Sequence, residues 1–257
     1  MLVQKFFLFF AGVVILCSQF LVAQEAPKDQ LYLVHEETAK AEMINQYEAT
    51  SVEWVEMMHK AELDIDMIHA SQTEDFTYYY LIPISGYAEI DGFPAKFNSA
   101  VEKLGEDKWS ALMTENYKSI QTYREYVIKW SADLSYVPKE PRIKQDEQSF
   151  IHWIFFHYKA DKRQEMMDVL KEWKKLYEDK NINTGYSIWT MELGEDNNLL
   201  VLTEYAKSAI DFYQTLKSNN EITGKDEQVL WNKFTPLLIN FEQKYGYFRP
   251  DLSYIKK

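Results

Sequence analysis

The chain has 257 residues, 46% of them hydrophobic and 26% charged, proportions that exclude a disordered polypeptide, a collagen and a small disulfide scaffold. A net charge of −12 sets it against nucleic acid and anionic membranes, where it would meet repulsion instead of releasing counterions. Only 8 glycines and 7 prolines leave little material for phosphate-cradling loops or a turn-rich all-β fold, whereas 18 tyrosines, 15 phenylalanines and 7 tryptophans make the chain rich in aromatic surface.

Residues 1–23 stand apart. Lys5 is their only charge, an apolar run follows from Phe6 to Leu16, and Ala23 precedes the polar Gln24. This is the pattern of a secretory signal peptide cleaved after Ala23, which sends the protein to the periplasm or the extracellular space. The alternative is a retained membrane anchor, since the run approaches spanning length. Lipid attachment at Cys17 is disfavoured by the bulky Leu16 before it. Cleavage removes the only cysteine, so the exported chain has no disulfide and must be held by its core. Nothing later in the chain is apolar for long enough to span a bilayer, so the processed protein is expected not to insert stably in a membrane.

The remaining chain divides into two halves with the same expected order of elements. Leu31–His35 and Phe150–Tyr158 are apolar, aromatic and branched, as a buried strand requires. Each is followed by a helical pattern. Met43, Tyr47, Trp54, Met58 and Ala61 recur at helical steps in the first half; Met166, Val169, Leu170, Trp173 and Tyr177 do so in the second. Strand pairs come next, over 67–70 with 76–84 and over 185–193 with 199–205, joined by the polar loops 71–75 and 194–198. Helical pattern resumes over 109–126 and 227–245, with Pro94 and Pro236 as first-turn or kink residues. Both halves close on Asp-Leu-Ser-Tyr, at Asp133–Tyr136 and Asp251–Tyr254, read as a short final strand. Residues 139–147 are polar, contain Pro141 and read as a linker between units 28–138 and 148–257. The fold expected is therefore α+β: two tandem ferredoxin-like β-α-β-β-α-β units whose open sheet faces pack together as a barrel-like core.

This order resembles the dimeric α/β-barrel superfamily, whose members include antibiotic-biosynthesis-type monooxygenases, NIPSNAP-like proteins and chlorite-dismutase-like haem proteins. The resemblance spans almost the whole exported chain and rests on element order, unit length and duplication. It implies a cavity, associated in the monooxygenase-like members with aromatic polyketide-like substrates and no bound cofactor. The haem-binding members would need an axial histidine, for which His69, His152 and His157 are the formal candidates.

Signatures of other chemistries are missing. There is no Gly-x-Ser-x-Gly elbow, no Walker loop and no Gly-x-Gly-x-x-Gly. His35-Glu36-Glu37 opens like a zinc-protease motif but lacks the second histidine. Glu56 and His59 have the spacing of a carboxylate-bridged metal site, yet no second Glu-x-x-His exists to complete one. No metal and no cofactor are therefore assigned. What remains is the aromatic content of the strands. Tyr78-Tyr79-Tyr80, Trp153, Phe155, Tyr186 and Trp189 either fill the core between the sheets or line a pocket for a flat apolar ligand. The pocket candidates are His152, Tyr186, Trp189, His69 and Tyr79. His152 is singled out because Ile151 and Trp153 flank it in mid-strand. Two functions follow: a barrel that binds or oxidises a small apolar or aromatic molecule, as a monomer or weak dimer, or a non-catalytic module whose acidic exterior meets an extracytoplasmic partner.

The exported protein is expected to begin at or next to Gln24 and to carry no lipid. N-terminal sequencing with intact-mass measurement checks this; a retained Met1 or an acylated Cys17 contradicts it.

Overall fold

The computed structural model describes residues 27–194 and 196–257, and the signal peptide expected over residues 1–23 lies outside the described residues. The strands are β1 (Gln30–Ala39), β2 (Met67–Thr73), β3 (Thr77–Ile84), β4 (Ile120–Trp130), β5 (Phe150–Tyr158), β6 (Tyr186–Leu193), β7 (Leu199–Ala206), β8 (Leu238–Phe248) and β9 (Tyr254–Ile255). Five α-helices accompany them among the described residues: α1 (Ile44–Ala61), α2 (Phe93–Leu104), α3 (Glu106–Ser119), α4 (Arg163–Asp179) and α5 (Ala209–Phe234).

Strands β1 to β8 form one closed antiparallel barrel in the order β3-β1-β4-β6-β7-β5-β8-β2, with β2 pairing back onto β3 and β9 adding to the end of β2. This corrects the expectation of two tandem ferredoxin-like units packing separate sheets face to face. The halves meet edge to edge, through main-chain ladders that pair β4 with β6 and β2 with β8. A closed sheet of eight strands has no free edge, and its interior has room for side chains or for one small ligand.

The second correction concerns the last strand of each half. Helical pattern expected over 109–126 and 227–245 ends at Ser119 and Phe234, and the chain passes into β4 and β8. Pro236 stands in a 3-10 turn after α5 and ends that helix, while Pro94 does occupy the first turn of α2. The break within α5 falls at Gly224, whose φ of 52° suits glycine. Ser208 caps the start of α5, its side chain accepting from the Asp211 amide.

The Asp-Leu-Ser-Tyr segments are not barrel strands. Each instead ties a helix layer to a strand end, and does so with the same atoms. Ser135 Oγ accepts from Ile188 N at 2.8 Å, and Ser253 Oγ from Ala70 N at 2.9 Å. The Tyr136 hydroxyl donates to the Ile182 carbonyl and the Tyr254 hydroxyl to the Leu63 carbonyl. Leu134 and Leu252 are buried beside them.

Helices cover the outside of the barrel. Met57, Met58 and Ala61 of α1 pack with Ile82, Ile84 and Val127 of the sheet, and Met166, Val169 and Leu170 of α4 pack with Phe156, Ile188 and Leu200. Each central strand is thus covered on both faces, outside by helices and inside by the opposite wall. That is why β5 reads as a nearly continuous apolar run.

Closure depends on one residue having no side chain. Gly246 of β8 stands opposite Thr73 of β2, where a Cβ would overlap the main-chain carbonyl of Gln72. Gly246→Ala is expected to lower unfolding stability by about 1–3 kcal/mol, as overpacking does, or to open the β2–β8 ladder. At Gly92, where nothing lies within 4 Å, alanine should change stability by less than about 0.5 kcal/mol. Urea unfolding of the two variants checks the contrast, and equal stabilities would contradict it.

Candidate functional site

Inside the barrel is a cavity of about 710 Å³. Its walls come from inward-facing positions two apart along each strand, such as Tyr32 and Val34 of β1, Ile151, Trp153 and Phe155 of β5, and Val201, Thr203 and Tyr205 of β7. One end is bounded by Phe155 and Tyr126. Beyond them Glu36 accepts hydrogen bonds from Tyr126 and Arg124, and Lys244 lies over the Phe155 ring while pairing with Asp75 at 2.7 Å. The other end is bordered by Val137 and Pro138 and by the segment expected as a linker, of which Pro141, Arg142, Ile143 and Lys144 line the cavity. Arg142 pins this segment by a two-pronged ion pair with Asp211 of α5, at 2.7 and 2.8 Å, and by donating its amide to the Asn183 carbonyl.

Four of the five pocket candidates border this cavity: His69, Tyr79, Tyr186 and Trp189. Trp189 donates to Thr203 Oγ1 at 2.9 Å and meets Tyr32 edge to face. Tyr186 touches only the mouth; its ring packs between Tyr136 and Tyr177 in the helix-covered layer, and its hydroxyl is buried there without a partner among the described residues. His152 is a correction. Because Ile151 and Trp153 point inward, His152 points outward beneath α5, stacked on Tyr245 and packed against Phe212. Its nitrogens lie 3.0 Å from Glu204 Oε2 and 3.0 Å from Gln243 Oε1, so the buried ring is served by side chains of neighbouring strands. The same alternation divides the tyrosine triplet. Tyr79 points into the cavity; Tyr78 and Tyr80 point out, bonding to Glu48 and Tyr47.

Several lining residues escaped the sequence reading. Ser71 was expected in a loop, but β2 runs on to Thr73 and turns Ser71 inward. Tyr126 was expected at a helix end and is mid-strand. Tyr32 and Val34 were legible in principle, from strand alternation alone.

Electrostatics separate the two faces. Burial lowers the His69 pKa, so its imidazole is neutral at pH 7. The Tyr79 and Tyr126 phenols are held well above their ordinary value, first by burial and then by the Glu36 charge. On the outer face burial pushes His35 down, but hydrogen bonds and charge from Glu37 and Glu125 outweigh it and raise its pKa.

Of the three histidines that the haem-binding resemblance brings forward, only His69 faces the cavity; His157 pairs with Asp196 at the far end of β5. An iron-ligating imidazole takes an orienting hydrogen bond at its other nitrogen. His69 has no orienting side-chain or main-chain partner of that kind among the described residues. Glu56 and His59 stay apart in role, the first beside Lys60 and the second on the Tyr254 ring. No cluster suited to a metal ion occurs among the described residues, and no described helix is long and apolar enough to cross a membrane.

No family model and no curated protein matches this sequence. Solved structures do share the fold. A monooxygenase-like protein from Lactobacillus acidophilus NCFM superposes with a TM-score of 0.54 at 10% identity, over 90% of this chain and 97% of that one. An anthrone oxidase-like protein gives 0.53 at 7% identity, over 87% and 93%. A mutant chlorite dismutase from Candidatus Nitrospira defluvii gives 0.51 at 9%, over 86% and 92%. At such identities the likeness shows the fold alone.

Since His152 serves the outer core, His152→Phe is expected to cost about 1–3 kcal/mol of stability by leaving Glu204 and Gln243 without their partner. Ligand binding in the barrel should be unchanged. Thermal unfolding and binding titration of the same variant separate the two effects.

Proposed function

We propose that this protein is an exported binder of a small, flat, apolar or aromatic molecule, held inside the barrel, and that its enzymatic form is a monooxygenase-like oxidation of that molecule. One observation carries the reading: a cavity of about 710 Å³ remains within a barrel whose walls mix aromatic rings with aliphatic side chains. That size falls in the range of small-molecule pockets, about 300–1,000 Å³. Rigid rings could have been packed to close the space, as they are on the helix-covered faces. The fold shared with monooxygenase-like and anthrone oxidase-like proteins supports the oxidative form by analogy. The matching bonds of the two Asp-Leu-Ser-Tyr segments support an origin by duplication, with the cavity formed between the halves. Export rests on residues 1–23 as read from the sequence.

Trp130, Trp153 and Trp189 line the cavity and report on its contents. Titration of the processed chain with naphthalene should quench their fluorescence saturably at one site per chain. Leu81→Trp, which places an indole in the cavity, should weaken that binding at least tenfold. Lack of saturable quenching, or equal binding by the filled variant, would refute the reading. Mass analysis of the compound after incubation in air with ascorbate tests the oxidative form: one atom of O2 enters the compound, and the two electrons and two protons from ascorbate carry the other away as water.

A further inference from the structure

One wall of the cavity sets three polar side chains next to one another. Ser71 and Tyr79 are directly opposite residues of the β2–β3 ladder, and His69 lies one inward-facing position further along β2. Opposed side chains on one face of an antiparallel pair stand about 5 Å apart at Cβ, and diagonal ones about 7–8 Å. The three residues therefore stand as neighbours on one stretch of the wall, with Ser71 between His69 and Tyr79, within reach of one small ligand. Ser71 and Tyr79 are each 7% exposed, and all three residues line the cavity. None of the three makes a side-chain hydrogen bond among the described residues, and their polar atoms are not sealed away from the cavity.

The chemistry of the patch selects its ligand. A neutral imidazole offers one acceptor nitrogen and one donor, while the serine and tyrosine hydroxyls can donate. A carbonyl could accept from Tyr79 but would leave the imidazole's acceptor nitrogen bare. A carboxylate meets worse conditions: Glu36 already places a negative charge close enough to raise the Tyr79 phenol, and Arg124, a cation that acts on that phenol, is engaged by Glu36. A hydroxyl satisfies both sides at once, donating to the imidazole and accepting from the phenol. Around it the walls are aromatic: Trp153 lies 6.2 Å from Tyr79, ring centre to ring centre.

We propose that His69, Ser71 and Tyr79 form a recognition patch for the hydroxyl group of a neutral, flat aromatic compound, with His69 accepting the ligand's O–H and Tyr79 donating to its oxygen. This rests on the cavity reading above and goes further by naming the ligand's polar group and the residues that select it. The patch determines specificity whether or not the bound compound is then oxidised.

Naphthalene, 2-naphthol and 2-naphthoate share one ring system and differ in the group offered to the patch. Titrated by tryptophan fluorescence at pH 7, the processed chain should bind 2-naphthol about tenfold more tightly than naphthalene, the equivalent of about 1.4 kcal/mol. Desolvation alone would favour the hydrocarbon. The naphthoate should bind more weakly than the naphthol. Tyr79→Phe and His69→Phe should each bring naphthol close to parity with naphthalene, losing naphthol affinity while naphthalene binds as tightly as before or more tightly, since no polar group is then covered without a partner. His69→Asn, which keeps an acceptor, should retain part of the preference. Ser71→Ala, the smallest change, provides a variant whose folding is least at risk and should reduce the preference two- to threefold. Equal binding of naphthol and naphthalene by the unsubstituted protein, or a preference that survives both phenylalanine variants, overturns this proposal and leaves the cavity reading standing. Failure of naphthalene itself to bind overturns both.

Discussion

Closure of the sheet is the constraint on which the rest depends. Because β2 pairs with β8 and β4 with β6, no strand of the barrel has a free edge, and each side chain on it faces either the helices or the interior. Strand parity then decides everything about a residue's role. Ile151 and Trp153 go inward and His152 goes outward; Tyr79 goes inward and its neighbours Tyr78 and Tyr80 go outward. A shift of one residue in register would exchange cavity and core along an entire strand. The contact at Gly246 matters for this reason: it holds β8 close enough to β2 for the ladder between the halves to form.

The same parity explains what could be read from the amino-acid order and what could not. Strand β5 was legible because both its faces are covered, which leaves an uninterrupted apolar and aromatic run of strand length. The β6–β7 and β2–β3 pairs were legible from their polar turns. Strands β4 and β8 were not. Their first halves are exposed, so residues 121–125 lack the apolar alternation that marks a half-buried strand, while in β8 the alternation of Ile239 and Phe241 with Asn240 and Glu242 is short and follows directly on the helical pattern of α5. In the first half, α3 also runs into β4 with neither glycine nor proline between them, which removes the usual stop signal. Misplacing these strands made Asp-Leu-Ser-Tyr the closing strand of each half, whereas it meets the sheet only at Tyr136, bridged to Tyr186, and at Tyr254 in the two-residue β9. The candidate site was legible only in part, for a related reason. Residue type suggested His152, but parity depends on pairing partners, and those lie far away in sequence.

Interior and exterior are stabilised in different ways. On the outside, long side chains from helices and strands complete one another's hydrogen bonds. Arg249 alone reaches Glu48, Gln72 and Asp251, and lies over the Tyr78 ring. At the far end of the barrel, Glu36, Arg124 and Tyr126 make a closed polar set, so a buried carboxylate there has its charge and its lone pairs answered. These networks hold the wall rigid without filling the space it encloses. The segment over residues 137–148 adds to this by bordering the open end while anchored to Asp211, outside the barrel.

Against that background the β2–β3 wall stands out physically. Tyr78, Tyr79 and Tyr80 share one strand and one chemistry, and burial raises the pKa of all three. The two outward phenols have partners, in Glu48 and Tyr47, while the inward one has none among the described residues. Folding does not call for that arrangement. Phenylalanine at Tyr79 and alanine at Ser71 would present the same or a smoother apolar surface to the barrel, without a hydroxyl to desolvate. A polar group turned into an aromatic cavity loses water contacts as soon as anything apolar enters, at a cost of about 1–3 kcal/mol when nothing replaces them. Only an entering molecule that carries its own hydrogen-bonding group can recover that energy, and the wall therefore penalises plain hydrocarbons more than it rewards any particular ring. Selectivity of this kind needs no nearby charge and no metal. It comes from three neighbouring polar side chains on one wall that have no partner among the described residues.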